Sequence, residues 1–388
     1  MGIDRKTSIA VVGGGLGGAA TAALLQRAGH RVTVFEQAGA FEPAGAGIHL
    51  TPNVMRVLDR VGVADALVGA GYLPESFTSR DLASNSVRCA LPLGAGVRAR
   101  YGAPYLTVGR GVLHRELLGA LRPGTVRYGK RLVSFDDRGA RVRLDFADGS
   151  TAEADCVIGA DGLGSRVREG MHGAERPGFS GQIAYRATVP AGTPVPVDRR
   201  CITKWWAGES FVIGYPTDSR SGDYYFVAGT AADAWPHPRS WVEADRDEML
   251  DAFAGSCDEV RTLLEAARSL TKWPLFERPP LQQWGRGRVA LLGDACHPMR
   301  PHMAQGAAMA IEDGVLLLRC LEAEDDVEDA FWRYAESRKQ RTTRIQAVSA
   351  ANSWLKDTED PAWVFSYDAM NVDLPESRRH STCTTLMS

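Results

Sequence analysis

Ser8-Ile-Ala-Val-Val-Gly13-Gly-Gly15-Leu16-Gly-Gly18-Ala-Ala-Thr-Ala-Ala-Leu-Leu-Gln-Arg27 is the stretch from which the architecture can be read. A short β-branched run suited to a buried parallel strand ends in a GxGxxG turn and enters a helix-forming segment. Gly29 stops the helix, and Arg31-Val-Thr-Val-Phe-Glu36 reads as a second strand with an acid at its tip. Gly13 permits a tight turn, Gly15 lets the backbone come close to a pyrophosphate, and Gly18 lets helix and strand pack closely. The helix start at Leu16 offers free N–H groups and a partial positive charge to phosphates. Glu36, 18 residues after Gly18 and followed by Gln37, is placed to accept hydrogen bonds from ribose hydroxyls. This order points to a bound dinucleotide. It does not choose between NAD and FAD, which share the ADP end.

The same stretch has no charge from Thr7 to Gln26 and follows Arg5 and Lys6, imitating a signal peptide or a membrane helix. Five glycines among the six positions Gly13 to Gly18 argue against both, because each interior glycine costs a helix about 1 kcal/mol relative to alanine. No other segment approaches spanning length, so no membrane partner and a cytoplasmic location are expected. At roughly 150 residues per domain, 388 residues make two or three domains or one elaborated unit. The 45 Lys+Arg against 47 Asp+Glu leave a net charge of −2, which excludes a broad phosphate-binding field for nucleic acid. Seven scattered cysteines without CxxC spacing exclude a disulfide scaffold and a structural zinc module.

Two later segments repeat the logic of a strand that delivers a carboxylate to its tip. Asp155-Cys-Val-Ile-Gly-Ala-Asp161-Gly162 is one; Arg288-Val-Ala-Leu-Leu-Gly293-Asp294-Ala-Cys-His-Pro298 is the other. Gln305-Gly306-Ala307 then opens a helix-patterned run to Arg319. In open α/β sheets ligands bind at that edge.

In the order GxGxxG, Asp-Gly, Gly-Asp, these segments resemble the flavoprotein aromatic hydroxylases, the class A FAD monooxygenases with the p-hydroxybenzoate hydroxylase fold. The resemblance spans roughly residues 7 to 366. It implies an α/β protein with a discontinuous Rossmann-like FAD-binding domain (1–72, 105–171 and 286–366), an inserted antiparallel-sheet substrate domain (73–104 and 172–285), C-terminal helices, and a flexible tail over 367–388. It also implies FAD as cofactor, NADH or NADPH as reductant, O2 as co-substrate, and a monomer or homodimer. Within the resemblance, the glycine turn and Glu36 hold the ADP half of FAD, and Asp294 holds the ribityl chain. The stretch from Pro298 through Pro301 to Ala307 passes beside the isoalloxazine, while Asp161-Gly162 serves the pyrophosphate side and the nicotinamide. Arg110 matches the arginine that opens a helix near the cofactor.

Gly45-Ala-Gly-Ile-His49-Leu-Thr-Pro-Asn53, Lys204-Trp-Trp206, Thr271-Lys-Trp-Pro274 and His297-Pro-Met-Arg-Pro-His-Met-Ala-Gln-Gly306 narrow the resemblance to a subfamily that hydroxylates pyridine carboxylates. The implied reaction acts on a 6-hydroxynicotinate-like acid, passes through a flavin C4a-hydroperoxide, and releases CO2 to give 2,5-dihydroxypyridine. A salicylate-like or biosynthetic aromatic substrate, or halogenation, is the alternative; no WxWxIP-like halogenase signature is present. A deprotonated ring hydroxyl activates the attacked carbon, and histidine, with a pKa near 6.5, suits that proton transfer. His49 and His302 are therefore the candidate bases, with Tyr215 as a hydrogen-bonding wall residue and Cys201 as a further pocket residue. The subfamily pattern carries histidine where this chain has Phe211 and methionine where it has Ile213, a change able to alter the preferred ring. Cys296, His297, His302 and Asp294 are close in sequence, but adjacent Cys and His rarely converge on one ion, so no metal is expected.

Overall fold

The computed structural model describes residues 7–42 and 45–378. Ser8–Val12 lies inside a six-stranded sheet, parallel to Arg31–Phe35 on one side and to Cys156–Gly159 on the other. Val289–Leu291 continues the parallel order beyond Cys156–Gly159. Val12 stands level with Gly159, and Gly159 with Leu291, so the three loops carrying the glycine turn, Asp161 and Asp294 leave one edge together.

Two helices cover this sheet and grip each other through small residues. In Leu16–Arg27 ten of twelve residues are buried, as expected of an alanine-rich helix packed on all sides. It packs on Gly306–Ala323, where a Cβ at Gly314 would come 2.6 Å from Thr21 Oγ1. The long helix Val327–Ala351 then packs on Gly306–Ala323; its N-cap Asp326 accepts from the backbone N–H groups of Glu328 and Asp329.

A second, eight-stranded sheet runs Val242–Glu243, Arg268–Glu277, Gly178–Val189, Tyr224–Ala231, Ser210–Pro216, Ile202–Ala207, Ser76–Asp81, Val87–Pro92. It departs from the antiparallel expectation at one place: Ile202–Ala207 and Ser76–Asp81 pair in parallel. These strands come from distant segments and no hairpin joins them, so nothing forces the antiparallel order. One face packs with Arg246–Ala252 and Asp258–Glu265 into a separate apolar cluster around Tyr224, Phe226 and Leu263. The other face turns Arg186, Phe211, Ile213, Tyr215, Tyr225 and Val227 toward the first sheet.

The expectation of a flexible tail from residue 367 is overturned as far as residue 378. Arg56 donates to the carbonyls of Phe365 and Tyr367, Arg319 to that of Ala369, and Arg333 to that of Pro375. Ala369 is buried, so polar composition misjudged a segment held by its backbone. The rest of that expected tail lies outside the described residues. Six cysteines are free thiols; the seventh, Cys383, is also outside them. Among the described residues, no helix is long and apolar enough to cross a membrane.

Candidate active site

A cavity between the two sheets is lined by Gly15, Leu16 and Gly17 of the glycine turn and by Ala160 and Gly162 of the second loop. Gly293, Asp294, Pro301, Gly306 and Ala307 line it from the third loop, and Arg110 closes one side. Gly13 takes a left-handed φ of 103°, and a Cβ at Gly18 would collide with its carbonyl. Nothing lies within 4 Å of a Cβ placed at Gly15, so the helix start faces open space, and no side chain caps it. Such a start is the arrangement that receives an anion.

Glu36 is tied to the turn it serves: Oε2 accepts from Gly14 N–H at 2.7 Å and Oε1 from Ala38 N–H at 2.8 Å. Gln37 is exposed and does not line the cavity. The Asp161 carboxylate accepts from Ser165 Oγ (2.5 Å), Arg166 N–H (2.7 Å) and Val167 N–H (3.2 Å), at the start of the helix Arg166–His172. Its neighbours Ala160, Gly162 and Leu163 line the cavity.

Asp294 is exposed to the cavity it lines; desolvation by the surrounding protein raises its pKa, while His297 and Arg110 pull the other way. Arg110 is brought there by the short pair Gly47–Leu50 and Leu106–Gly109, with Arg110 N–H donating to Ala46 O at 2.7 Å. The same pair delivers His49. Its ring meets Tyr215 edge-on, centroids 4.1 Å apart, and its Nδ1 lies 2.8 Å from Tyr105 Oη. Burial, and then Lys204, lower the His49 pKa to about 3. Burial likewise holds the Tyr215 hydroxyl well above its usual range, so it stays protonated.

The other two expected pocket residues are placed differently. His302 stands one layer behind the wall, edge-on to Phe211, with Nε2 3.1 Å from Gln182 Oε1 and Nδ1 buried without a partner. Burial, Lys204 and Arg300 lower its pKa to about 3 as well. Cys201 is not at the cavity. It sits in the turn before Ile202–Ala207, where its Sγ accepts from Ser76 Oγ at 3.1 Å. His297 and Cys296 also diverge: His297 Nε2 reaches Asp313 at 2.7 Å while Cys296 is enclosed in the core.

With this geometry in place, comparison with known proteins is decisive. The family model described as FAD binding domain matches residues 6–349. The chain belongs to the FAD-binding-domain flavin monooxygenases. It is 46% identical over 384 residues to the 6-hydroxynicotinate 3-monooxygenase of Pseudomonas fluorescens, covering 97% of this chain and 99% of that one. A 3-amino-4-hydroxybenzoate 2-monooxygenase from Streptomyces platensis is 40% identical over 390 residues, covering 95% and 98%. Among solved structures, a salicylate hydroxylase substrate complex superposes with a TM-score of 0.80 at 26% identity, covering 94% and 96%. Klebsiella pneumoniae HpxO complexed with FAD and uric acid gives 0.79 at 25%, covering 92% and 91%.

The protein is thus an FAD-dependent aromatic-ring monooxygenase that uses NAD(P)H and O2. For a flavin monooxygenase the donor set fits: an uncapped helix start for the pyrophosphate, and a carboxylate, Asp294, open to the cavity beside the ring-binding loop.

Sequence reasoning missed two groups of residues in this flavin enzyme. Beneath the third loop, Asp313 accepts from Gly293 N–H (3.0 Å) and Arg338 Nε (2.7 Å), and contacts His297. Burial alone would raise the Asp313 pKa; His297 and Arg338 outweigh it and hold it at about 2. Glu312 is bracketed by Arg338 and Arg341, each at 2.9 Å, and accepts from Asn53 Nδ2 at 2.7 Å. The second group is cationic and faces the pocket. Arg186 lines the cavity with its guanidinium over Trp273, 4.6 Å from the ring centroid, and its buried Nε has no partner among the described residues. A charged residue at an inward strand position, flanked by Ala184 and Thr188, was the available signal.

Proposed function

We propose that this enzyme hydroxylates a hydroxylated pyridine or benzene carboxylic acid of the 6-hydroxynicotinate type. For 6-hydroxynicotinate itself, oxygen enters at the carbon bearing the carboxyl group, giving 2,5-dihydroxypyridine, CO2, water and NAD(P)+. The 46% identity over nearly the full length supports this substrate class. The observation that carries it is a pocket joining a neutral histidine, a protonated tyrosine and an unpaired guanidinium.

Bound FAD, reduced by NAD(P)H, activates O2 and supplies the oxygen atom. The protein orients the ring, excludes water and manages the ring-hydroxyl proton. Arg186, steadied on Trp273, receives the carboxylate. Tyr215 Oη donates to the ring or its substituents. When His49 Nδ1–H donates to Tyr105 Oη, the other ring nitrogen carries the lone pair that accepts the hydroxyl proton. A pKa of about 3 in the ligand-free pocket is too low for that task. An anionic substrate beside the ring favours the imidazolium and moves the value back toward the working pH. Phe211 and Ile213, both lining the cavity, present an apolar surface to the ring.

The test is mass spectrometry of products from 6-hydroxynicotinate, NADH and air, with His49→Asn alongside. Loss of CO2 with gain of one oxygen is expected, and His49→Asn is expected to lower kcat about 10²–10⁴-fold. Wild-type enzyme that consumes NADH no faster with this acid than without it overturns the reading.

A further inference from the structure

Lys204 is 1% exposed on the strand Ile202–Ala207, opposite Ile213 in the neighbouring strand. Its Nζ lies 3.7 Å from the Trp206 ring centroid and 4.9 Å from that of Phe211. It donates to Asn352 Oδ1 at 2.9 Å and approaches His302 O at 3.5 Å. Asn352 ends the helix Val327–Ala351 with a left-handed φ of 47°, so the backbone aims its amide oxygen at the amine. Two π faces and two neutral oxygens make a cradle for a cation. No carboxylate contacts the amine among the described residues, and a buried charge without a counter-charge is costly. The cavity lies one layer away, behind Phe211 and Ile213, and is the side from which an anionic ligand can approach.

We propose that Lys204 is a specificity-determining residue of this pocket: it supplies the counter-charge for an ionised ring oxygen and selects rings that carry an ionisable hydroxyl. This rests on the substrate class proposed above. The titratable and charged groups facing it are His302 from the third loop, His49 from Gly47–Leu50, and Lys356 after the long helix. None is acidic. Burial, then Lys356, push the Lys204 pKa well below its usual range; an oxyanion arriving in the pocket favours the charged amine and draws that value back up. After burial, the charged amine is the next cause that lowers the pKa of His49 in the pocket and of His302 behind it.

The experiment is a titration of FAD holoenzyme, wild type and Lys204→Met, with 6-hydroxynicotinate and with nicotinate, which has the carboxylate but no ring hydroxyl. Lys204→Met is expected to lose about tenfold or more in affinity for the hydroxylated acid while nicotinate changes by less than about threefold. The acid limb of its kcat/KM profile is expected to move to higher pH, because the histidines protonate more easily. If both ligands weaken equally, or neither does, and the acid limb stays in place, the role of Lys204 is refuted. Wild type that does not separate the two ligands overturns the substrate reading instead. Should Lys204→Met fail to keep its flavin, the ultraviolet spectrum of wild-type-bound 6-hydroxynicotinate decides. The bound hydroxyl must ionise at lower pH than the free ligand, and ionisation at the free ligand's pH refutes the proposal.

Discussion

Two buried polar regions lie on either side of the cavity and are built in opposite ways. Beneath the third loop, Glu312, Asp313, Arg338 and Arg341 form an alternating set of charges in which each carboxylate meets two cations or a cation and His297. On the face of the large sheet, the basic side chains Arg186 and Lys204 contact no acid, and His302 Nδ1 has no partner, among the described residues. Closed pairing holds a loop in one place whether or not a ligand is present. Open valence is destabilising by itself and makes sense where a ligand completes it.

The contrast predicts different penalties for removing a charge. Asp313→Asn leaves Arg338 with Glu312 as its one acidic partner and removes the charge that holds His297 and the Gly293 N–H, so a stability loss of about 3–5 kcal/mol is expected, with FAD released on gel filtration. Denaturant unfolding and flavin absorbance per protein measure it, and a loss under about 1 kcal/mol would erase the distinction. Acid acts on the other side. His49 and His302 have folded pKa values of about 3 against about 6.5 unfolded, so the unfolded chain binds more protons between those limits. Stability is therefore intact above about pH 6.5 and falls as pH drops toward 3, by about 1.4 kcal/mol per pH unit for each histidine. Urea unfolding from pH 7 to 4.5 measures the slope, and His302→Gln should remove its share.

Arg186→Met is expected to change stability by less than about 1 kcal/mol yet weaken aromatic-acid binding about 10–100-fold. Flavin-absorbance titration gives the affinity; a loss of stability without a loss of affinity would place Arg186 with the closed network. Least affected is Cys201→Ala, for which kcat/KM should stay within about threefold of wild type, because the thiol faces Ser76 and not the cavity.

What could be read from the chain was what the backbone dictates. Gly13 and Gly18 each meet a steric demand, Gly15 leaves the helix start open, and three apolar strands ending in the glycine turn, Asp161-Gly162 and Gly293-Asp294 had to share an edge. The hydrogen bonds of Asp161 to the following helix start were not legible, because an acid before glycine suits a ligand contact and a helix start equally; Ser165, whose own side chain accepts from Arg168 N–H, was the local sign of a cap. Cys201 could not be placed, since one residue separates the turn from the strand. The Glu312–Arg341 network escaped notice because its members look like ordinary helix charges until two helices and a loop are packed together. Arg186 and Lys204 were concealed by strand patterns in which one charge among apolar residues reads as an edge.

The captured segment after residue 366 has a consequence for how its sequence can change. Arginines at 56, 319 and 333 grasp carbonyl oxygens, which every amino acid possesses, so the path of this strap is written elsewhere in the chain. Its outward polar letters could be exchanged without rerouting it, whereas Tyr367, Ala369, Met370, Val372 and Leu374, which pack inward, are bound to their places as firmly as the distant guanidiniums.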